Sequence, residues 1–255
     1  MPRLTVPSAA IVSWCDRVLG VKWRCEQRRM VIIGVVRAQP SSSRRRAELV
    51  VKRNPTAAAK FQRRLADAIE RLVDDETSYG ELSVDQLIGE AGVARSTFYK
   101  YFGDKSGLLS SLVGAVRDDF LHAATSWLAM TAGGTRAEYE ESFRIIFGAY
   151  RSHRVVMRCI VEQSTQDDVI GAHFREMMAV FVAAVEHHVR EGQRTGVIAA
   201  TRSASDLAIW LTWMLEYGQM QLIGPADERT VEKYTAAVTD IVWRTLYTSP
   251  VHGVR

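Results

Sequence analysis

From Thr56 onward the apolar residues recur at three- and four-residue intervals, and no stretch alternates convincingly with the period of two that a half-buried strand needs. Phe61, Leu65, Ala68, Ile69, Leu72 and Val73 form the first stripe, the pattern of a helix with one face on a core. Ser83-Val84-Asp85-Gln86 fits a capping box, so a short helix is predicted from there to about Glu90. Ala91-Gly92-Val93 breaks it, and Gly92 suits the positive φ of a tight inter-helix turn. A second short helix is predicted from Arg95 to Phe102, ended by Gly103, with Asp104 capping a longer helix to about Met130. Past Gly133-Gly134 the same periodicity predicts helices over about 136–151, 154–164, 167–194, 203–223 and 227–247. The expected fold class is all-α, an N-terminal helix-turn-helix domain joined to a larger helical domain.

Residues 1–55 read differently. Pro2, Pro7, Pro40 and Pro55, the Ser41–Ser43 run and the Arg44–Arg46 run interrupt any sustained periodicity, and a mostly disordered basic extension is expected. Met30 is an alternative start. The expected domains are 1–55, the extension; 56–110, the helix-turn-helix; and 111–255, the helical body.

Charge sharpens this division. Residues 1–60 hold 13 Lys and Arg against 3 Asp and Glu, whereas residues 61–110 hold 6 against 9 and the remainder 14 against 17. A basic arm ahead of a slightly acidic body suits a nucleic-acid binder, because neutralising phosphates releases counterions. Charge alone is equally compatible with a solvated tail. The chain is 47% hydrophobic and 24% charged, with a mean hydropathy of −0.08 and no apolar run near the ~18–20 residues of a membrane span. A cytoplasmic protein with no membrane association is expected. Cys15, Cys25 and Cys159 show neither a disulfide framework nor metal-binding spacing.

The stretch from Leu82 to Phe102 has the dimensions of a helix-turn-helix, in which the second helix enters the major groove of DNA. Arg95 at the start of that helix can fork onto guanine or bridge phosphates, and Ser96 and Thr97 offer hydroxyls. Tyr99, Lys100 and Tyr101 extend the polar surface, Phe98 and Phe102 are expected to point inward, and Lys105 begins the next helix.

The ordered string Leu82-Ser83-Val84, Ile88, Ala91-Gly92-Val93, Ser96 through Phe102, Asp104-Lys105 and Leu108-Leu109 resembles the tetracycline-repressor (TetR) family of bacterial regulators. The resemblance covers about 54 residues. It implies a homodimer on a palindromic double-stranded DNA operator, with repression relieved by a small molecule bound in the C-terminal part. Carried over by position, Thr97 and Tyr99 would contact phosphates, Tyr101 the backbone or a base edge, Lys105 a phosphate, and Arg95 or Lys100 the bases. Ala94 departs from the family pattern, which usually places a capping Ser or Thr there; a missing cap costs about 0.5–2 kcal/mol.

The body carries many aromatic and Met residues, each of which taken singly reads as core. Together with the resemblance, Phe147, Tyr150, Trp210, Trp213 and Met214 are the candidates for lining a pocket for a small lipophilic effector. Trp213, Tyr217, Met220, Tyr234, Val238, Ile241 and Val242 are the candidates for a two-fold seam, and Trp213 cannot serve both fully. His173, Glu176, His187 and His188 read as solvated surface residues rather than a metal site. No cofactor is implied, and G-x-S-x-G, H-E-x-x-H, G-x-G-x-x-G and Walker signatures are all missing, so an enzyme is not expected. The competing reading is a helical interaction module whose basic arm grips acidic partners or nucleic acid without sequence preference.

Overall fold

The computed structural model of the protein describes residues 21–26, 29–35 and 55–247. The first two segments are strands, β1 (Val21–Glu26) and β2 (Arg29–Val35), paired antiparallel with Val21 opposite Val35 and Glu26 opposite Arg29. These two strands fall within the extension expected to be mostly disordered. Val31, Ile32, Ile33 and Val35 make β2 rich in β-branched residues, which favour extended backbone. The rest of that extension lies outside the described residues.

From Pro55 on, every regular element is helical: α1 (Pro55–Leu72), α2 (Val84–Ala91), α3 (Arg95–Tyr101), α4 (Lys105–Ala123), α5 (Thr125–Ala129), α6 (Arg136–Ser152), α7 (Arg154–Ser164), α8 (Asp168–Thr195), α9 (Ala204–Gly218) and α10 (Glu228–Leu246). The long helix predicted to Met130 is divided at Ala124 into α4 and α5. The helix predicted through 223 instead leaves α-geometry at Gly218 for a π-helical turn over Gln219–Ile223, closed by the Gly224 amide donating to the Gln219 carbonyl at 2.8 Å.

Two compact units result, residues up to Val113 together with Arg158–Glu176, and Gly114–Met157 together with Met177–Arg255. In the first, Leu65, Ala68 and Ile69 of α1 are fully buried, as are Leu87, Phe98, Leu108 and Leu109. Each large apolar side chain of this kind contributes about 1.5–3 kcal/mol. Both borders of α2 follow from local chemistry. Ser83 Oγ accepts from the Gln86 amide at 3.2 Å while Gln86 Oε1 accepts from the Ser83 amide at 2.8 Å, the reciprocal box that the sequence predicts. At the other end Gly92 is left-handed, φ 58°, and the amides of Gly92 and Val93 donate to the Gly89 and Ile88 carbonyls.

In the second unit Trp127, Tyr139, Phe143, Val189, Ala208, Leu211, Val242 and Leu246 form the main core, and Phe147, Ile223 and Val231 a smaller one. Thr235 and Thr239 are buried on α10 at no unmet cost, since their hydroxyls donate to the Val231 and Thr235 carbonyls one turn back. His188 is fully buried, which corrects its reading as a surface residue. Its ring lies 3.1 Å from the Leu128 carbonyl and 2.6 Å from the Tyr247 hydroxyl, which also accepts from Trp127 Nε1 at 3.2 Å. That arrangement fits a neutral imidazole donating from Nδ1 and accepting at Nε2, and burial holds its pKa below the usual histidine range.

Candidate nucleic-acid interface and apolar cavity

Helix α3 is anchored by three aromatics and presents the rest of its surface outward. Phe98 and Phe102 are buried against each other at 5.7 Å, as expected. Arg95, Ser96, Tyr99 and Lys100 are exposed and Thr97 is half-buried. Tyr99 retains 42% exposure and sits edge-on to Phe98, so the ring is braced on one side and open on the other. Ala94 gives the helix no side-chain cap.

Two of the expected contact residues are placed otherwise. Tyr101 is 7% exposed, its ring 5.3 Å from Phe61 of α1, because its position on a 3.6-residue helix shares the inward face with Phe98. Lys105 spends its ammonium internally: Nζ donates to the carbonyls of Gly80 at 2.8 Å, Tyr79 at 3.2 Å and Leu82. Three carbonyls satisfy all three donors of an ammonium. In the sequence Lys105 is a lysine at a helix start, and nothing in the string shows that the 79–82 turn aims three carbonyls at it.

Arg95 is held as well, though loosely. Its guanidinium pairs with Asp85 of α2 and lies 5.6 Å from the Tyr99 ring. Both charged side chains are more than half exposed, so the pair contributes little and exchanges easily. The turn between α2 and α3 is fixed from outside by Arg64 of α1, which donates to the Gly92 carbonyl at 2.8 Å. The turn between α3 and α4 is fixed by Gly107, where a Cβ would stand 2.0 Å from the Phe102 carbonyl oxygen. Asp104 caps α4 there, accepting from the Gly107 amide at 2.7 Å.

The second unit holds a cavity of about 80 Å³, walled by α4 to α9. Of the sequence candidates only Tyr150 lines it. The cavity face of α9 is Thr212, Leu215 and Glu216, and helical phase turns Trp210 and Met214 to the opposite face, where Trp210 is 76% exposed. Trp213, about a quarter-turn from Thr212, does not line it either. Phe147 is turned from the cavity into the smaller core beside Ile223 and Val231. The walls are instead Phe120, Leu121, Trp127, Ile146, Met157, Met177 and Phe181, with Thr212, Glu216 and Gln219 as polar members. Periodicity marks these residues as inward-facing, but a gap between inward faces leaves no trace in a string of residues.

The polar members are underused. Thr212 Oγ1 and Glu216 Oε1 are buried without a hydrogen-bond partner. Burial pushes the Glu216 carboxyl up to about 7 and raises the Tyr150 phenol. The outer face of α9 leaves Trp210, Met214 and Tyr217 exposed at i, i+4, i+7, and Ile241 of α10 is 49% exposed. Val242, a seam candidate, is fully buried in the core. Among the described residues no group of three or more His, Cys, Asp or Glu could hold a metal ion, and no helix is long and apolar enough to cross a membrane.

Comparison with known proteins agrees with this geometry. Residues 73–112 match the family model for the N-terminal region of bacterial regulatory proteins of the tetR family, and residues 139–248 match the C-terminal domain of the transcriptional regulator EthR. The HTH-type transcriptional regulator EthR of Mycolicibacterium smegmatis is 29% identical over 190 residues, covering 71% of this chain and 84% of that protein. Among solved structures, a TetR-family regulator from Mesorhizobium loti aligns with a TM-score of 0.57 at 16% identity, covering 76% of this chain and 100% of that one. Another, from Syntrophomonas wolfei, aligns at 0.61 and 12%, covering 76% and 99%. Together these matches support a transcriptional regulator of the TetR type, a non-enzymatic class, with a tetR-type N-terminal region and a C-terminal domain of the EthR type.

Proposed function

We propose that the protein is a cytoplasmic repressor that binds a palindromic operator as a homodimer and releases it when a small lipophilic molecule enters the cavity. The observation that carries this reading is α3 itself. A seven-residue helix is pinned by Phe98, Tyr101 and Phe102 so that Arg95, Ser96, Thr97, Tyr99 and Lys100 share its outer side. Insertion of that side into a major groove places Arg95 and Lys100 at base edges and the hydroxyls of Ser96, Thr97 and Tyr99 at phosphates. Arg95 exchanges Asp85 for DNA at the cost of one exposed ion pair, which contributes little.

The outer face of α9 with Ile241 supports the dimer, since Trp210, Met214 and Tyr217 form the kind of aromatic and Met patch that interfaces favour. Two-fold pairing then sets the two recognition helices about one DNA turn apart. The cavity supports effector control. Its 80 Å³ is below the ~300–1,000 Å³ usual for ligand sites, so an occupant must spread the helices that enclose it. A ligand that favours the spread body over the DNA-bound one lowers operator affinity by the same coupling with which DNA lowers ligand affinity.

The experiment is fluorescence-anisotropy binding to the DNA upstream of the protein's own gene, with an unrelated duplex as control, across salt concentrations. Saturable, sequence-selective binding supports the reading. Equal salt-sensitive binding to both duplexes, followed by no enrichment in a selection from random DNA, removes it in favour of an interaction module with a basic arm.

A further inference from the structure

The cavity walls are mostly apolar, and their polar residues other than the Tyr150 phenol and Gln219 are two neighbours on α9. Thr212 and Glu216, one helical turn apart on the same face, both line the cavity, and Thr212 Oγ1 and Glu216 Oε1 are buried with no hydrogen-bond partner. A buried acceptor left unmet costs about 1–3 kcal/mol, so the apo protein holds this pair at a penalty that an occupant can recover. None of the residues lining the cavity is Lys, Arg or His, so the carboxyl has no cation of its own there. Tyr150 on α6 is the other titratable group of the lining, and its phenol is an added electronegative neighbour; α4, α5, α7 and α8 contribute apolar residues alone.

We propose that the effector is an apolar amine whose ammonium donates to Glu216 and Thr212 while its hydrocarbon part packs among Phe120, Trp127 and Phe181. The proposal rests on the reading of this cavity as the effector site. Burial has raised the Glu216 carboxyl to about 7, and an entering cation offsets that penalty and favours the ionised form. A fatty acid or other anion meets a carboxyl with no countercharge in the lining and is rejected. Selectivity of this kind comes from charge, because a wall of Phe, Leu and Met separates similar apolar bodies only weakly.

The test is calorimetric titration of the full-length protein at pH 8 with four probes of one shape, 2-phenylethylamine, 2-phenylethanol, phenylacetate and propylbenzene, repeated on Glu216→Gln and Thr212→Val. The expected result is at least tenfold tighter binding of the amine than of the alcohol, weakest binding of phenylacetate, loss of the amine preference in Glu216→Gln and a smaller loss in Thr212→Val. Equal binding of amine, alcohol and propylbenzene overturns the amine assignment and leaves the cavity as an effector site. Binding of none of the four overturns the assignment together with the effector reading beneath it.

Discussion

Tyr79 and Lys105 are tied to each other twice, the Tyr79 phenol donating to the Lys105 carbonyl at 2.8 Å and the Lys105 ammonium donating back to the Tyr79 carbonyl at 3.2 Å. The ammonium also lies 5.4 Å from the Tyr79 ring. The pair clamps the turn that precedes α2 to the first turn of α4 and so fixes both ends of the helix-turn-helix. Its consequence is that Lys105→Met costs stability, on the order of 2 kcal/mol for the lost charged hydrogen bonds. Thermal unfolding measures that loss. The salt dependence of operator binding by the folded variant should keep its slope, whereas a lysine on a phosphate would lower the slope by about one.

Gly107 sets the second prediction. A methyl group at that position cannot coexist with the Phe102 carbonyl 2.0 Å away, so Gly107→Ala must displace α4 relative to α3. A loss of more than about 3 kcal/mol is expected, with operator binding lost alongside. An unfolding curve superimposable on that of the wild type would contradict the packing of this turn.

Asp85 is the carboxylate that occupies Arg95 in the free protein. Asp85→Asn frees the guanidinium and removes one negative charge from beside the outward face of α3. Operator affinity should rise by roughly threefold, from loss of the competing exposed pair together with relief of phosphate repulsion. Anisotropy titration reads this directly, and unchanged or weaker affinity would mean that Asp85 orients Arg95 for DNA instead of competing for it.

Glu216 gives the body a pH dependence of defined sign. Its carboxyl is raised from 4.5 unfolded to about 7 folded, so the folded state holds the proton more tightly. Stability from this group is full below pH 4.5 and is lost as pH rises through about 7. Glu216→Gln cannot titrate and should unfold several degrees above the wild type at pH 8, with the gap closing toward pH 4.5. His188 acts in the opposite direction. With its pKa depressed by burial, its contribution is present above about 6.5 and lost as pH falls below that.

The helices and the reading head were legible because their signals are local. A capping box at Ser83, a glycine at a left-handed position and a 3.6-residue stripe act within one or two turns of chain. Tyr101, Lys105 and Trp210 are placed otherwise than the sequence suggests for the complementary reason. Their roles depend on Phe61, on the carbonyls of the 79–82 turn and on which face of α9 meets the core, and each of these partners is set by tertiary packing. The cavity was the least legible feature, since Glu216 and Thr212 become unusual only once they are enclosed without partners.

The proposed DNA binding rests most directly on the outward face of α3. Operator affinity should be measured by anisotropy for the wild type and for Tyr99→Ala combined with Lys100→Ala, with circular dichroism and sedimentation confirming the same fold and assembly. A fall of at least tenfold in affinity, with a reduced salt slope, is the expected result. Unchanged affinity in a correctly folded protein would contradict the assignment of α3 as the element that reads DNA.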